Sequence, residues 1–190
     1  MTKIAGFASG LMNFESRELR FTPEDLNQLI YNLLEFLKRQ ERLNHVAVTL
    51  ETDNQLGVVT LDSGLIQQML VNLIYNAADS LIDNEERGII TITTQKLTTG
   101  RALISVSDNG PGVPRDKQDQ LFLERFPTKS KGHGIGLLTC AKIVEAHAGR
   151  IFYQQAAEGG ASFVVEIPLR QAILPPGETE PIKNMAGSTG

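Results

Sequence analysis

The chain has 190 residues, a length that suits a single domain of roughly 100–200 residues. Hydrophobic residues make up 41% and charged residues 21%, and 18 Lys and Arg against 22 Asp and Glu give a net charge of −4. That is the composition of a globular protein, not of a disordered chain or one built chiefly to grip nucleic acid or an anionic membrane surface. The single cysteine, Cys140, excludes an intrachain disulfide framework and a Cys-rich zinc site. No apolar run approaches the ~20 residues that span a bilayer, and the start lacks the basic and apolar regions of a signal peptide. A soluble intracellular domain is expected.

Ile4, Phe7, Ala8, Leu11, Met12 and Phe14 fall at three-and-four spacing, one apolar stripe of an amphipathic helix that starts without a cap. Such a stripe calls for a partner, for example a second copy of itself. Another helix is predicted from Thr22 as cap, with Pro23 at the first position and Glu24 and Asp25 in the first turn. Its buried face runs through Leu26, Leu29, Ile30, Leu33, Leu34 and Leu37 towards Arg42. Alternation at Val46, Val48 and Leu50 predicts a half-buried strand, and Gly57 to Leu61 a short one.

Residues 63–82 form the most distinctive helix. Leu65, Ile66, Met69, Leu70, Leu73, Ile74, Ala77, Ala78 and Leu81 give a wide apolar face, and Asn72, Asn76, Asp79 and Asp83 a separate polar stripe. Strands follow at 89–95 and 102–107 around a Thr-Thr-Gly turn, then a Gly- and Pro-rich stretch at 108–136 with a helical turn or two near 115–123. A helix from about Gly136 to His147 is expected to end at Gly149. Strands at 150–155 and 161–168 complete about six strands and three longer helices. The mixed order predicts an α/β (α+β) two-layer sandwich, a mixed sheet with the helices on one face. From Gln171 the periodicity vanishes and a disordered tail or linker is expected.

Three features carry chemistry. Asn is a poor residue for a helix interior, so Asn72 and Asn76, one turn apart beside an apolar face, cost helix stability without adding to a core. They either face solvent or serve a ligand, Asn76 offering its amide oxygen to Mg²⁺, which prefers hard oxygen donors. Asp108-Asn109-Gly110-Pro111-Gly112 follows a strand. It is either an ordinary turn or a site where the carboxylate accepts from an exocyclic amino group such as that of adenine, with glycines letting the backbone approach a flat ring. Gly132-His133-Gly134-Ile135-Gly136 opens a helix, where backbone N–H groups and the helix dipole favour phosphate, and Lys129 and Lys131 stand just before it. Neither a dinucleotide-binding G-x-G-x-x-G nor a P-loop is present.

In this order the three features resemble the ATP-binding domain shared by sensor histidine kinases, gyrase-type topoisomerases, mismatch-repair ATPases and heat-shock chaperones (the GHKL superfamily, with its Bergerat-type fold). Asn72-Leu-Ile-Tyr-Asn76-Ala-Ala is similar to the N box and Asp108 to Gly112 to the first G box. Leu121-Phe122-Leu-Glu-Arg-Phe126-Pro-Thr128-Lys129 is similar to the F box and Gly132-His-Gly-Ile-Gly136-Leu137 to the second G box. The resemblance spans roughly residues 20–170. In the ATPase members a Glu one turn before the magnesium Asn activates water. Here that position is Asn72, whose amide does not titrate near neutral pH. The pair therefore resembles histidine kinases, and His147-Ala148-Gly149 resembles, with one change, their His-Gly-Gly.

The resemblance implies an ATP-dependent protein-histidine kinase (a transferase) of a two-component phosphorelay. Asn72, Asn76 and Lys129 would be catalytic, and Asn76 would hold Mg²⁺. ATP would be bound by Asn72, Asn76, Asp79, Asp108, Gly110, Gly112, Phe126, Thr128, Lys129, Lys131, Gly132, His133, Gly134, Ile135, Gly136 and Leu137. Asp79 stands where many histidine kinases carry a basic residue, which leaves Lys129 and Lys131 as the charge partners. None of His45, His133 and His147 precedes an acidic residue, so the phosphoacceptor is expected on an upstream dimerisation domain. Residues 1–20 would be the tail of its helix, 21–170 the catalytic domain and 171–190 a tail. The implied partners are ATP or ADP, that upstream domain, a second copy in a homodimer, and a response-regulator receiver domain, with no nucleic acid. The location would be cytoplasmic, with membrane anchoring open for a longer protein. Alternatives are a GHKL-type ATPase that drives a conformational machine, and a non-catalytic scaffold that keeps the fold.

Overall fold

The computed structural model describes residues 18–83, 87–123, 136–157 and 159–170. Its elements in chain order are β1 (Thr22–Asp25), α1 (Leu26–Leu37), a 3-10 turn (Glu41–Leu43), β2 (Val46–Glu51), β3 (Val58–Leu61), α2 (Ser63–Ser80), β4 (Gly88–Lys96), β5 (Arg101–Asp108), a single turn α3 (Arg115–Gln118), α4 (Gly136–Ala146), β6 (Arg150–Gln155) and β7 (Ala161–Pro168). Five strands form one sheet in the order β2-β4-β5-β7-β6, while β1 and β3 make a separate antiparallel pair. β2 runs parallel to β4 and the other three pairings are antiparallel. The expected mixed sheet with three longer helices is the observed architecture.

Alternation decides which face of the sheet meets the helices. Ile90 and Ile92 of β4, Ile104 and Val106 of β5, and Val165 and Ile167 of β7 are all buried in one core with Leu26 and Ile30 of α1, Met69, Leu70, Leu73 and Ile74 of α2, and Ile143 and Val144 of α4. The intervening residues turn outward and pair by hydroxyls: Thr93 with Ser105 at 2.7 Å and Ser107 with Ser162 at 2.8 Å. Fully burying a Leu, Ile or Met side chain is worth about 1.5–3 kcal/mol, so the apolar face of α2 outweighs Asn72 and Asn76, which cost up to about 0.7 kcal/mol each relative to Ala.

Three local expectations are corrected. Residues 22–25 are a strand, in register Thr22–Leu61 to Asp25–Val58 with β3, and Asp25, not Thr22, caps α1 by accepting from the Gln28 N–H at 3.0 Å. Proline lacks a donor wherever it stands, so Pro23 suits an edge strand as well as a first helical turn. Second, α1 stops at Leu37 instead of Arg42; the chain needs the 3-10 turn to bury Leu43. Third, α4 ends on Ala148, not Gly149: Ala148 has φ +51°. The Ala148 N–H donates to the Glu145 carbonyl (2.9 Å) and the Gly149 N–H to the Val144 carbonyl (2.9 Å), the double bond of a left-handed helix terminus. Gly149 is small for another reason: a Cβ there would lie 2.5 Å from the Glu166 carbonyl oxygen of β7.

The apolar stripe of 1–15 and the tail of 171–190 lie outside the described residues. Among the described residues, no helix is long and apolar enough to cross a membrane.

Candidate functional site

The Asp62 carboxylate caps α2 by accepting from the Leu65 N–H at 3.1 Å, which sets the helix phase that follows. Asn72 and Asn76 come out on one side, facing the first residue of α4. A Cβ placed on Gly136 would lie 3.9 Å from Asn72 Cγ and from both amide atoms of Asn76. Cys140, one turn into α4, donates from Sγ to the Met69 carbonyl at 3.6 Å. Burial pushes its thiol up to about 12, partly opposed by a hydrogen bond from Asn72. A neutral thiol therefore sits behind the amide pair at working pH.

Asp108 ends β5 and is buried. Its Oδ1 accepts from the Gly110 N–H (2.9 Å) and the Ala161 N–H (3.3 Å). Ser80, at the end of α2, shares its hydroxyl between the Ala77 carbonyl (2.7 Å) and this carboxylate. Burial raises the Asp108 carboxyl above its ordinary range, and the donors from Gly110, Ala161 and Ser80 pull the other way. The remaining acceptor capacity belongs to an anion in a dry setting, suited to a ligand N–H.

The loop after Asp108 is built by contacts the sequence does not announce. The Asn109 side chain belongs to the scaffold, its Oδ1 accepting from the Ile89 N–H at 2.7 Å and its Nδ2 donating to the Arg87 carbonyl at 3.2 Å. Gly110 packs under Ser80, where a Cβ would lie 3.1 Å from the hydroxyl. Gly112 has φ +72° and runs against Gly160, 3.0 Å from a Cβ to the carbonyl oxygen. Gly160, with φ +82°, is more confined: its Cβ would lie 2.0 Å from the Asp108 carbonyl oxygen. The Val113 N–H donates to the Tyr153 hydroxyl at 3.5 Å. Sequence reasoning missed Ser80, Gly160 and Ala161; the paired glycines Gly159 and Gly160 between the last two strands are the available signal.

Asp79 shares the polar side of α2 with the amides and is engaged by a residue outside the four motifs. Its carboxylate takes a two-pronged pair from Arg42, Nε to Oδ1 at 3.0 Å and Nη2 to Oδ2 at 2.5 Å, and the guanidinium carbon lies 4.3 Å from the centre of the Tyr75 ring. The expectation that Asp79 itself holds nucleotide has to accommodate this partner. Gly136 opens α4 and Leu137 is buried. Phe126, Thr128, Lys129, Lys131, Gly132, His133, Gly134 and Ile135 lie outside the described residues. At the far end of α4 the buried His147 accepts at Nε2 from the Asp62 N–H (3.0 Å) and donates from Nδ1 to the Ile143 carbonyl (2.7 Å). Both ring nitrogens are satisfied only in the neutral form, so it is a joint and not a phosphate carrier.

The domain family described as "Histidine kinase-, DNA gyrase B-, and HSP90-like ATPase" matches residues 61–171. Sensor protein TdiS of Thauera aromatica is 35% identical over 150 residues, covering 78% of this chain and 27% of TdiS. The nucleotide-free catalytic domain of histidine kinase ThkA superposes with a TM-score of 0.70 at 33% identity, covering 80% of this chain and 97% of that one. ThkA solved with the response regulator protein TrrA superposes at 0.69 with 28% identity, covering 87% of this chain and 47% of that one. The chain thus spans about a quarter of TdiS.

Proposed function

Because the chain belongs to the histidine kinase-, DNA gyrase B-, and HSP90-like ATPase family, we propose that it is the ATP-binding catalytic domain of a two-component sensor histidine kinase. It transfers the γ-phosphoryl group of ATP to a histidine of an upstream dimerisation domain, from which an aspartate of a response regulator takes it. The observation that carries this reading is the amide pair itself. Asn72 and Asn76 face the start of α4 together, with no carboxylate where a hydrolytic member needs its base. An amide does not deprotonate water at neutral pH, so bound ATP is kept for a protein nucleophile.

Asp108 accepts from the adenine amino group, fixed in orientation by Gly110, Ala161 and Ser80. The hard amide oxygen of Asn76, with Asn72 beside it, suits Mg²⁺, which takes few protein ligands and keeps phosphate and water oxygens. The ion would neutralise phosphate charge. Lys129, Lys131 and the Gly132–Gly136 backbone, with Phe126, Thr128, His133, Ile135 and Leu137, complete the phosphate and lid contacts in this reading. As the acceptor imidazole nitrogen bonds to the γ-phosphorus, the bond from that phosphorus to the β-bridging oxygen breaks and ADP leaves. Such a transfer needs positioning and charge neutralisation more than a strong base. The partners are the upstream domain in a homodimer and a response regulator of the kind seen with ThkA. The location is cytoplasmic.

Calorimetric titration of ADP with and without Mg²⁺ tests the reading, with Asn76→Ala as the control. Magnesium-dependent binding that the substitution removes is expected. Absence of binding by folded wild-type protein refutes the nucleotide assignment, and steady phosphate release from ATP without any acceptor refutes the kinase assignment in favour of an ATPase.

A further inference from the structure

We infer that Arg42, outside all four sequence motifs, is a nucleotide-binding residue that meets the phosphate chain from the flank of α2. The inference rests on the nucleotide reading above. At about 100° per residue, Asn72, Asn76 and Asp79 fall within an arc of about 60° on α2, with Tyr75 about 40° further round. Along the axis Asp79 lies about 4.5 Å past Asn76 and about 1.5 Å short of Ser80. Ser80 touches Asp108 and Asn76 faces α4. In height along the axis Asp79 therefore lies between the base end and the magnesium end, the level of the ribose and the phosphates nearest it. Around the axis it forms the flank of the stripe on the Asn72 side, away from Ser80.

A bare carboxylate there would repel the phosphates. Arg42 removes that charge with the fork described above, its face resting on Tyr75. Of the five guanidinium N–H donors, the fork uses two. The side chain is 48% exposed, so the remaining donors on Nη1 and Nη2 have an open edge. Asp79 and Tyr75 hold a long, flexible side chain in one place, which lowers the entropy lost when an anion binds. The positive group missing at position 79 is thus supplied from the 3-10 turn, 37 residues earlier in the chain.

The test is calorimetric titration of the 190-residue chain with Mg-ADP and with adenosine, for wild type, Arg42→Ala and Arg42→Gln. Loss of a charge-assisted contact together with exposure of the Asp79 carboxylate is expected to weaken ADP about tenfold and leave adenosine within about twofold. Unfolding midpoints establish that each variant is folded, and Arg42→Gln carries the test if Arg42→Ala is not. A purely structural ion pair predicts a lowered midpoint with ADP affinity within twofold of wild type, and that result overturns the inference. So does an equal proportional loss for ADP and adenosine. If wild type binds neither ligand, the nucleotide reading fails first and the role of Arg42 falls with it.

Discussion

Gly159 and Gly160 form a matched pair of substitutions in one turn. Both have positive φ, +89° and +82°. A Cβ on Gly159 would meet nothing within 4 Å, whereas one on Gly160 would lie 2.0 Å from the Asp108 carbonyl oxygen and 2.9 Å from the Gly110 nitrogen. Gly159→Ala therefore carries the backbone penalty alone, about 1–2 kcal/mol for an L-residue in left-handed conformation. Gly160→Ala carries the same penalty plus forced displacement of backbone, typically about 1–3 kcal/mol. The shift must move either the turn or the Asp108 loop. Because the Ala161 N–H is one of the donors that orient the Asp108 carboxylate, ADP binding should weaken in Gly160→Ala and hold in Gly159→Ala. Urea unfolding at pH 7.5 gives both costs from shifts in midpoint at constant slope. Equal midpoints for the two variants would refute the claim that close approach to Asp108 dictates glycine at 160.

Ala148 is the one non-glycine residue with positive φ among the described residues, so Ala148→Gly should raise stability by about 0.5–1 kcal/mol, seen as a higher urea midpoint. Asp108→Asn removes a carboxylate whose proton affinity burial has raised above its ordinary 3.8. The folded chain holds that proton more tightly, so stability falls as pH rises from 3.8 through the folded value. The variant should be more stable than wild type at pH 7 while binding ADP roughly tenfold or more weakly. His147 is shifted the other way: burial lowers it from 6.5 against the Ile143 carbonyl and the Asp62 charge. The unfolded chain then takes the proton first as pH falls, so its contribution is complete above about pH 6.5 and declines below it. Unfolding midpoints from pH 7.5 to 5.5 should fall less in His147→Gln than in wild type.

What the sequence made legible is what depends on local period. The strands at 46–51, 58–61, 88–96, 101–108, 150–155 and 161–168 each show an alternating or compact apolar run, and the asparagine spacing placed both amides on one face of α2. β1 was hidden because Thr-Pro-Glu-Asp satisfies the rules for a helix start as well as those for an edge strand, and only pairing with β3 decides between them. The role of Gly160 is not legible in the sequence because its real constraint, the Asp108 backbone, lies 52 residues away. The Arg42 fork is hidden for the same reason: Asp79 looks unpaired until the 3-10 turn is folded against α2.

Besides their apolar packing, α2 and α4 are tied by a polar joint at the end opposite the amides. α2 starts at Ser63 and carries Asn72 nine residues on; α4 starts facing Asn72 and ends at Ala146, beside His147. They run antiparallel, and about 13–15 Å of each separates the amide end from the joint. There Asp62 acts with all its groups. Oδ1 caps α2, the N–H donates to His147, and Oδ2 accepts from the Arg20 N–H at 3.1 Å. Phe21 meets the His147 ring edge-on at 5.2 Å. A buried network in which one residue satisfies three segments loses them together when it is broken. Replacing Asp62 therefore costs more than the ~1 kcal/mol of a helix cap. The joint adds to the apolar packing between α2 and α4 in fixing Asn72, Asn76 and Gly136 relative to one another, and the segment arriving at Arg20 and Phe21 is fastened to that same joint.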